Sequence, residues 1–189
     1  MAVAIYNYQD THGILPPHAI YGKSGRPLIS WRVLILPFVE QEELYKKFRL
    51  DESWDSPHNL ALLSEMPRIY GRYDERTTTE PYTTFYQVFV GSGAAFEGAE
   101  GMKLARDFPD GTSNTILIVE AGDAVPWTKP EDLPYEPDRP LPALGGLFKA
   151  TIRAALADGS VHSFRRDTSE ATLRAAVTRN GGDSLGPDW

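Results

Sequence analysis

Apolar and polar positions follow one period in the first third of the chain and another after it. In residues 1–11, Ala2, Ile5, Tyr6 and Tyr8 come together on a helical surface. His12-Gly13 supplies a stop, and Pro16-Pro17 forbids continuation. A second helix is expected from Ser30, a capping residue, through Leu34, Phe38, Leu44, Tyr45 and Phe48. Pro37 lies inside it and removes a backbone donor, which predicts a kink or a break. Ser56-Pro57 repeats the cap-then-proline signature and predicts a short helix through Leu60, Leu62 and Leu63.

From residue 82 the period shortens. Residues 83–90 are rich in Thr, Tyr, Phe and Val and predict a strand, ended by Gly91-Ser92-Gly93. Residues 115–120 form a compact apolar run after the Asp110-Gly111 turn signal, a second strand. Residues 123–146 hold six prolines and read as a long loop. Residues 150–156 and 161–164 flank Asp158-Gly159, a strong hairpin signal. A last helix is expected over 169–179, with Leu173, Ala176 and Val177 inward and Asn180-Gly181-Gly182 ending it. Helices first and strands later predict an α+β fold with an antiparallel sheet, in one domain over residues 1–189.

Composition narrows the class. The 189 residues are enough for one sizeable core, and 21 aromatic residues argue against disorder. The net charge of −7 lacks the clustered basic surface that nucleic acid requires. The absence of Cys removes disulfides, thiolate catalysis and Cys-based zinc sites. No apolar run approaches the roughly 20 residues of a bilayer span. The first helix is either a short helix in its own right or the end of a longer one, since Ala2-Val3-Ala4-Ile5 reads as a continuation.

Few residues suggest chemistry. Gly91-Ser92-Gly93 lacks the third glycine of a dinucleotide loop, where Phe96 stands. His12, His18, His58 and His162 lie in unrelated settings, so a non-enzymatic protein without a resident cofactor is expected. Asp107, Asp110 and Asn114 surround a glycine turn with hard oxygen ligands of the kind calcium takes. The competing account is a tight turn whose side chains bond their own backbone. Trp54, Asp55 and His58, with Trp127 further on, combine aromatic faces and polar edges suited to a sugar or peptide. The competing account gives Ser56-Pro57 to a helix cap and makes Trp31, Trp54 and Trp127 core or loop anchors.

Taken together, the segments resemble the planctomycete prepilin-like proteins that carry a domain of unknown function with a C-terminal signature of His, nine residues, then Asp-Gly. The stretches that carry the resemblance are Asn7-Tyr8-Gln9-Asp10-Thr11-His12-Gly13, Ser30-Trp31-Arg32-Val33-Leu34 and Trp54-Asp55-Ser56-Pro57-His58-Asn59. Further on they are Asp110-Gly111-Thr112-Ser113-Asn114-Thr115-Ile116, Val119-Glu120-Ala121, Val125-Pro126-Trp127-Thr128-Lys129-Pro130, Ala157-Asp158-Gly159-Ser160-Val161 and Thr178-Arg179-Asn180-Gly181-Gly182. The resemblance implies a pilin-like head: an N-terminal helix, with residues 1–12 as the end of a longer apolar stem, packed on an antiparallel sheet. It implies export to the cell envelope, a membrane anchor through the stem, and partner subunits of the same kind. Calcium in the C-terminal loops of the more distantly similar secretion pseudopilins points the same way as Asp107, Asp110 and Asn114. One position departs from the signature: the His falls on Phe148. The alternative expectation is an extracellular module that binds a carbohydrate, peptide or small solute.

Overall fold

The first helix, α1 (Ala2–His12), ends where expected: Gly13 takes a left-handed φ of 77° and returns its amide to the Gln9 carbonyl. Ala4 and Ile5 are buried, and the Tyr6 hydroxyl donates to the Ala157 carbonyl far along the chain. The structure, a computed structural model, describes residues 1–71, 80–148 and 150–189. Among the described residues, no helix is long and apolar enough to cross a membrane.

After α1 the chain forms an antiparallel hairpin of β1 (Ala19–Tyr21) and β2 (Pro27–Ser30), which helical periodicity does not register. The predicted second helix is broken into pieces. Ser30 accepts from the Arg32 amide and starts α2 (Trp31–Leu34). Pro37 then sits in a 3-10 turn, Leu36–Val39, and Glu40 takes a left-handed φ of 61° before α3 (Glu42–Lys47). The break follows from the proline and from the bias of the residue before it away from helix. Ser56 caps α4 (Pro57–Ala61) through the Asn59 amide, as the cap signature predicts.

The main sheet has strands β3 (Thr83–Gln87), β5 (Ile116–Pro126), β7 (Thr151–Leu156) and β8 (Val161–Arg165), in the order β3-β5-β7-β8, all antiparallel. Strand β4 (Phe89–Gly91) leaves that sheet and pairs in parallel with β6 (Leu133–Tyr135). Residues 123–146 are thus not one long loop. Strand β5 runs into them as far as Pro126, and β6 lies in their middle with Pro134 outward on a two-stranded pair, where proline is tolerated. Short α5 (Leu104–Asp107) precedes the Asp110 turn, and α6 (Glu170–Val177) closes the fold. The architecture is α+β. The four-stranded sheet divides two cores. One gathers Ile5, Trp31, Ile35, Leu117 and Trp127 on the α1 side. The other gathers Val119, Ile152, Leu156, Phe164 and Val177 under α6.

One ion pair joins these parts. Arg32 and Asp132 are buried, with Arg32 Nη2 2.8 Å from Asp132 Oδ1. Arg32 also donates to the Ser30 hydroxyl and, through Nε and Nη2, to the Tyr86 carbonyl on β3. Asp132 Oδ1 further accepts from the Trp31 indole and the Val88 amide. Its other oxygen, Oδ2, faces no donor among the described residues. Burial therefore dominates the carboxyl and pushes it up to about 6 from 3.8, with the Arg32 charge and the Val88 amide offsetting only part.

A carboxyl raised in the folded state stabilises most below its unfolded value, and loses that contribution as pH rises through about 6. His18 acts oppositely in the same window, because burial and then Arg32 lower it. The comparison that isolates Asp132 is therefore with D132N. Between pH 7 and pH 4, the wild type gains roughly 2 kcal/mol over D132N in denaturant unfolding. A gap that stays constant, or widens in the other direction, contradicts the assignment.

Candidate functional site

The acidic turn is built from the backbone outward. Asp107 Oδ2 accepts the Lys103 amide at 2.8 Å across α5, and Oδ1 pairs with Arg106 at 2.5 Å. Arg106 first, and then the Lys103 amide, hold this carboxyl down at about 2. Asp110 accepts the Gly182 amide at 3.0 Å and donates its own amide to the Arg179 carbonyl, which fastens the turn to the chain after α6. Asn114 Nδ2 donates to the Asp110 carbonyl at 2.8 Å. Each side chain of the candidate calcium set thus has a partner in its own chain. Among the described residues, no group of three or more His, Asp or Glu is placed to hold a metal ion.

The candidate sugar or peptide platform is dispersed. Trp127 is fully buried, stacked on Tyr70 at 5.6 Å and edge-on to Phe48, with its indole donating to the Leu63 carbonyl. It has no face to offer a ligand. Trp54 is half-buried with Lys129 Nζ 5.8 Å from its ring, and Asp55 is exposed. His58 Nε2 donates to the Lys47 carbonyl at 2.8 Å. Their neighbour Asn59 is buried and clamps the loop before α4, giving Nδ2 to the Arg49, Glu52 and Ser53 carbonyls and accepting the Arg49 amide. The motif around Trp54 is thus largely loop architecture.

Two features were not singled out by residue type. Glu120 is buried in β5, where Oε1 accepts the Leu147 and Phe148 amides at 2.5 and 2.6 Å, and Oε2 accepts the Arg153 amide at 3.3 Å. A carboxylate held by backbone N–H groups is a fixed anion that pins the chain before β7 to the sheet. Phe148, at the position of the signature His, takes part through its backbone, and its ring lies 3.9 Å from the Arg153 guanidinium. In the sequence, Glu120 stands as an acid inside an otherwise apolar strand, within the stretch Val119-Glu120-Ala121 of the resemblance.

The second feature is a groove of about 360 Å3 where the first turn of α1 meets the sheet. Val3, Ile118, Ala155 and Val161 form its walls, and Tyr86 and Arg153 also line it. Ile118, Ala155 and Val161 are register partners across β5, β7 and β8, so they stand in one row on the α1 face. Val3 and Val161 are 69% and 73% exposed, unusually open for valines.

A family model described as "Protein of unknown function (DUF1559)" matches residues 1–84. The expected resemblance is thus supported over the N-terminal part of the chain, at the level of a family to which no activity is assigned. The motifs beyond residue 84 lie outside that match. No match is found among curated proteins or among solved structures.

The turn geometry yields a direct test of the calcium expectation. D110A removes the acceptor of the Gly182 amide and costs about 1 kcal/mol of stability, equally in millimolar calcium and in chelator. A melting temperature raised by calcium in the wild type and not in D110A would instead establish the turn as a metal site.

Proposed function

We propose that this chain is the head of a non-enzymatic, pilin-like envelope protein, a subunit of a filament or secretion-associated assembly. The observation that carries the reading is the docking of α1 on the four-stranded antiparallel sheet. Ala4 and Ile5 are buried, and Tyr6 is tied to Ala157 just before the β7–β8 turn. The match over residues 1–84 covers α1 and the Trp31 and Trp54 motifs, which carry the resemblance from which this reading starts. In this reading an apolar helical stem continues α1 upstream, anchors the subunit in the membrane and packs against the stems of like subunits. The head displays the surface.

The chain has no Cys, so a single introduced thiol reports without background. In native cells with a permeabilised outer membrane, S24C in the exposed β1–β2 turn is labelled by a maleimide that cannot cross the inner membrane. Subunits carrying a photo-cross-linking residue at position 3 give a ladder of multimers. Labelling only after full lysis contradicts the envelope location. Cross-linking that yields monomers alone contradicts assembly. The groove beside α1 favours a second reading, an extracellular binding module, which predicts labelling without a ladder.

A further inference from the structure

We infer that the groove between α1 and the sheet is a binding site for a single acyl chain ending in a carboxylate, a fatty-acid-type ligand. This rests on the groove alone.

The groove's volume, about 360 Å3, lies in the range of small-molecule sites. Its walls are hydrocarbon: Val3 from α1, and the Ile118, Ala155 and Val161 row of the sheet. The chemistry of those walls selects the occupant. The groove lies on the face of the sheet, where the backbone of β5 and β7 is already paired within it. An extended peptide laid here would bury amides with nothing to bond, and a sugar would bury hydroxyls in the same way, each at a cost of kilocalories. A hydrocarbon chain has no polar group to satisfy and gains from covering the exposed valines.

The groove is not apolar throughout. Arg153 lines it and makes no ion pair among the described residues. Its guanidinium lies 3.9 Å from the Phe148 ring, a contact that holds the cation in place while leaving its N–H donors for another group. The Tyr86 hydroxyl, also in the lining, has no hydrogen-bond partner among the described residues. Burial first, and then the Glu120 charge, raise the Tyr86 hydroxyl, and the Arg153 charge offsets part of this. The nearby anion, Glu120, is occupied by three backbone amides. A planar fork of donors in a groove that also holds a phenol hydroxyl matches a carboxylate. An alcohol or an ammonium headgroup matches it less well.

The test is calorimetric titration of the 189-residue chain with decanoate below its micellar range, with decanol and decyltrimethylammonium as chain-matched controls. Decanoate binds saturably at one site, and decanol binds about tenfold more weakly for want of the charged contact. Decyltrimethylammonium does not bind. R153Q weakens decanoate about tenfold, and Y86F weakens it to a smaller degree. V161D, on an exposed edge-strand position, abolishes binding while the melting temperature stays near that of the wild type. The proposal is overturned if decanoate shows no saturable binding, if the cationic control binds as well as decanoate, or if R153Q and V161D both leave the affinity unchanged.

Discussion

Arg32 reaches partners from separate stretches of the chain: the Ser30 cap, the Tyr86 carbonyl on β3, and Asp132 between β5 and β6. A guanidinium with no solvent exposure has to find acceptors for its N–H groups, and each acceptor it finds is drawn to the same place. The Trp31 indole and Val88 amide converge on Asp132 for the complementary reason. The result fixes where α2 begins, where β4 departs from β3, and how the proline-rich stretch crosses the α1-side core. Tyr70 adds to the knot by donating its hydroxyl to the Arg32 carbonyl at 2.6 Å. Buried ion pairs are costly to form and costlier to break on one side only. A fold that depends on such a pair tolerates the loss of neither partner alone.

The sheet's position between two cores follows from this arrangement. With the N-terminal elements held against β3, the first turn of α1 meets the sheet at the groove that Val161 on the edge strand lines. Val161 stays 73% exposed there, in one row with Ala155 and the buried Ile118. Glu120 fixes the opposite boundary by holding Leu147 and Phe148 against β5, and Phe148 in turn carries the Arg153 guanidinium. Position 148, where the expected signature His falls, is a packing position in this chain. The Phe148 ring lies against the Arg153 guanidinium, which lines the groove.

Much of the fold was legible in the sequence where a signal was local. The Gly13 stop, the Ser30 and Ser56 caps, the break at Pro37 and the Asp158-Gly159 hairpin depend on one or two residues each, and the structure carries them all. The β1–β2 hairpin and the parallel β4–β6 pair escaped, because strands of three or four residues hold too few alternations to show a period. Strand β6 was also masked by its proline, which is harmless there because Pro134 points outward on a short two-stranded pair. Site residues were less legible for a different reason. Trp127 has the chemistry of a ligand contact, yet its partners Tyr70 and Leu63 are brought near only by the tertiary fold. Asp107 and Asn114 instead bond neighbours in their own turn, the alternative that the local sequence offered. The Arg32–Asp132 pair joins residues 100 apart in the chain, a separation that no local signature reports.

The dependence of the fold on the Arg32–Asp132 pair is best measured by a double-mutant cycle in denaturant, using R32M, D132L and the R32M/D132L double variant. Each single change leaves a charge in the core and costs about 3–5 kcal/mol. The account predicts that the double variant is more stable than either single one, with a coupling of about 2 kcal/mol or more. Strictly additive losses would show that the two side chains act independently, and would contradict it.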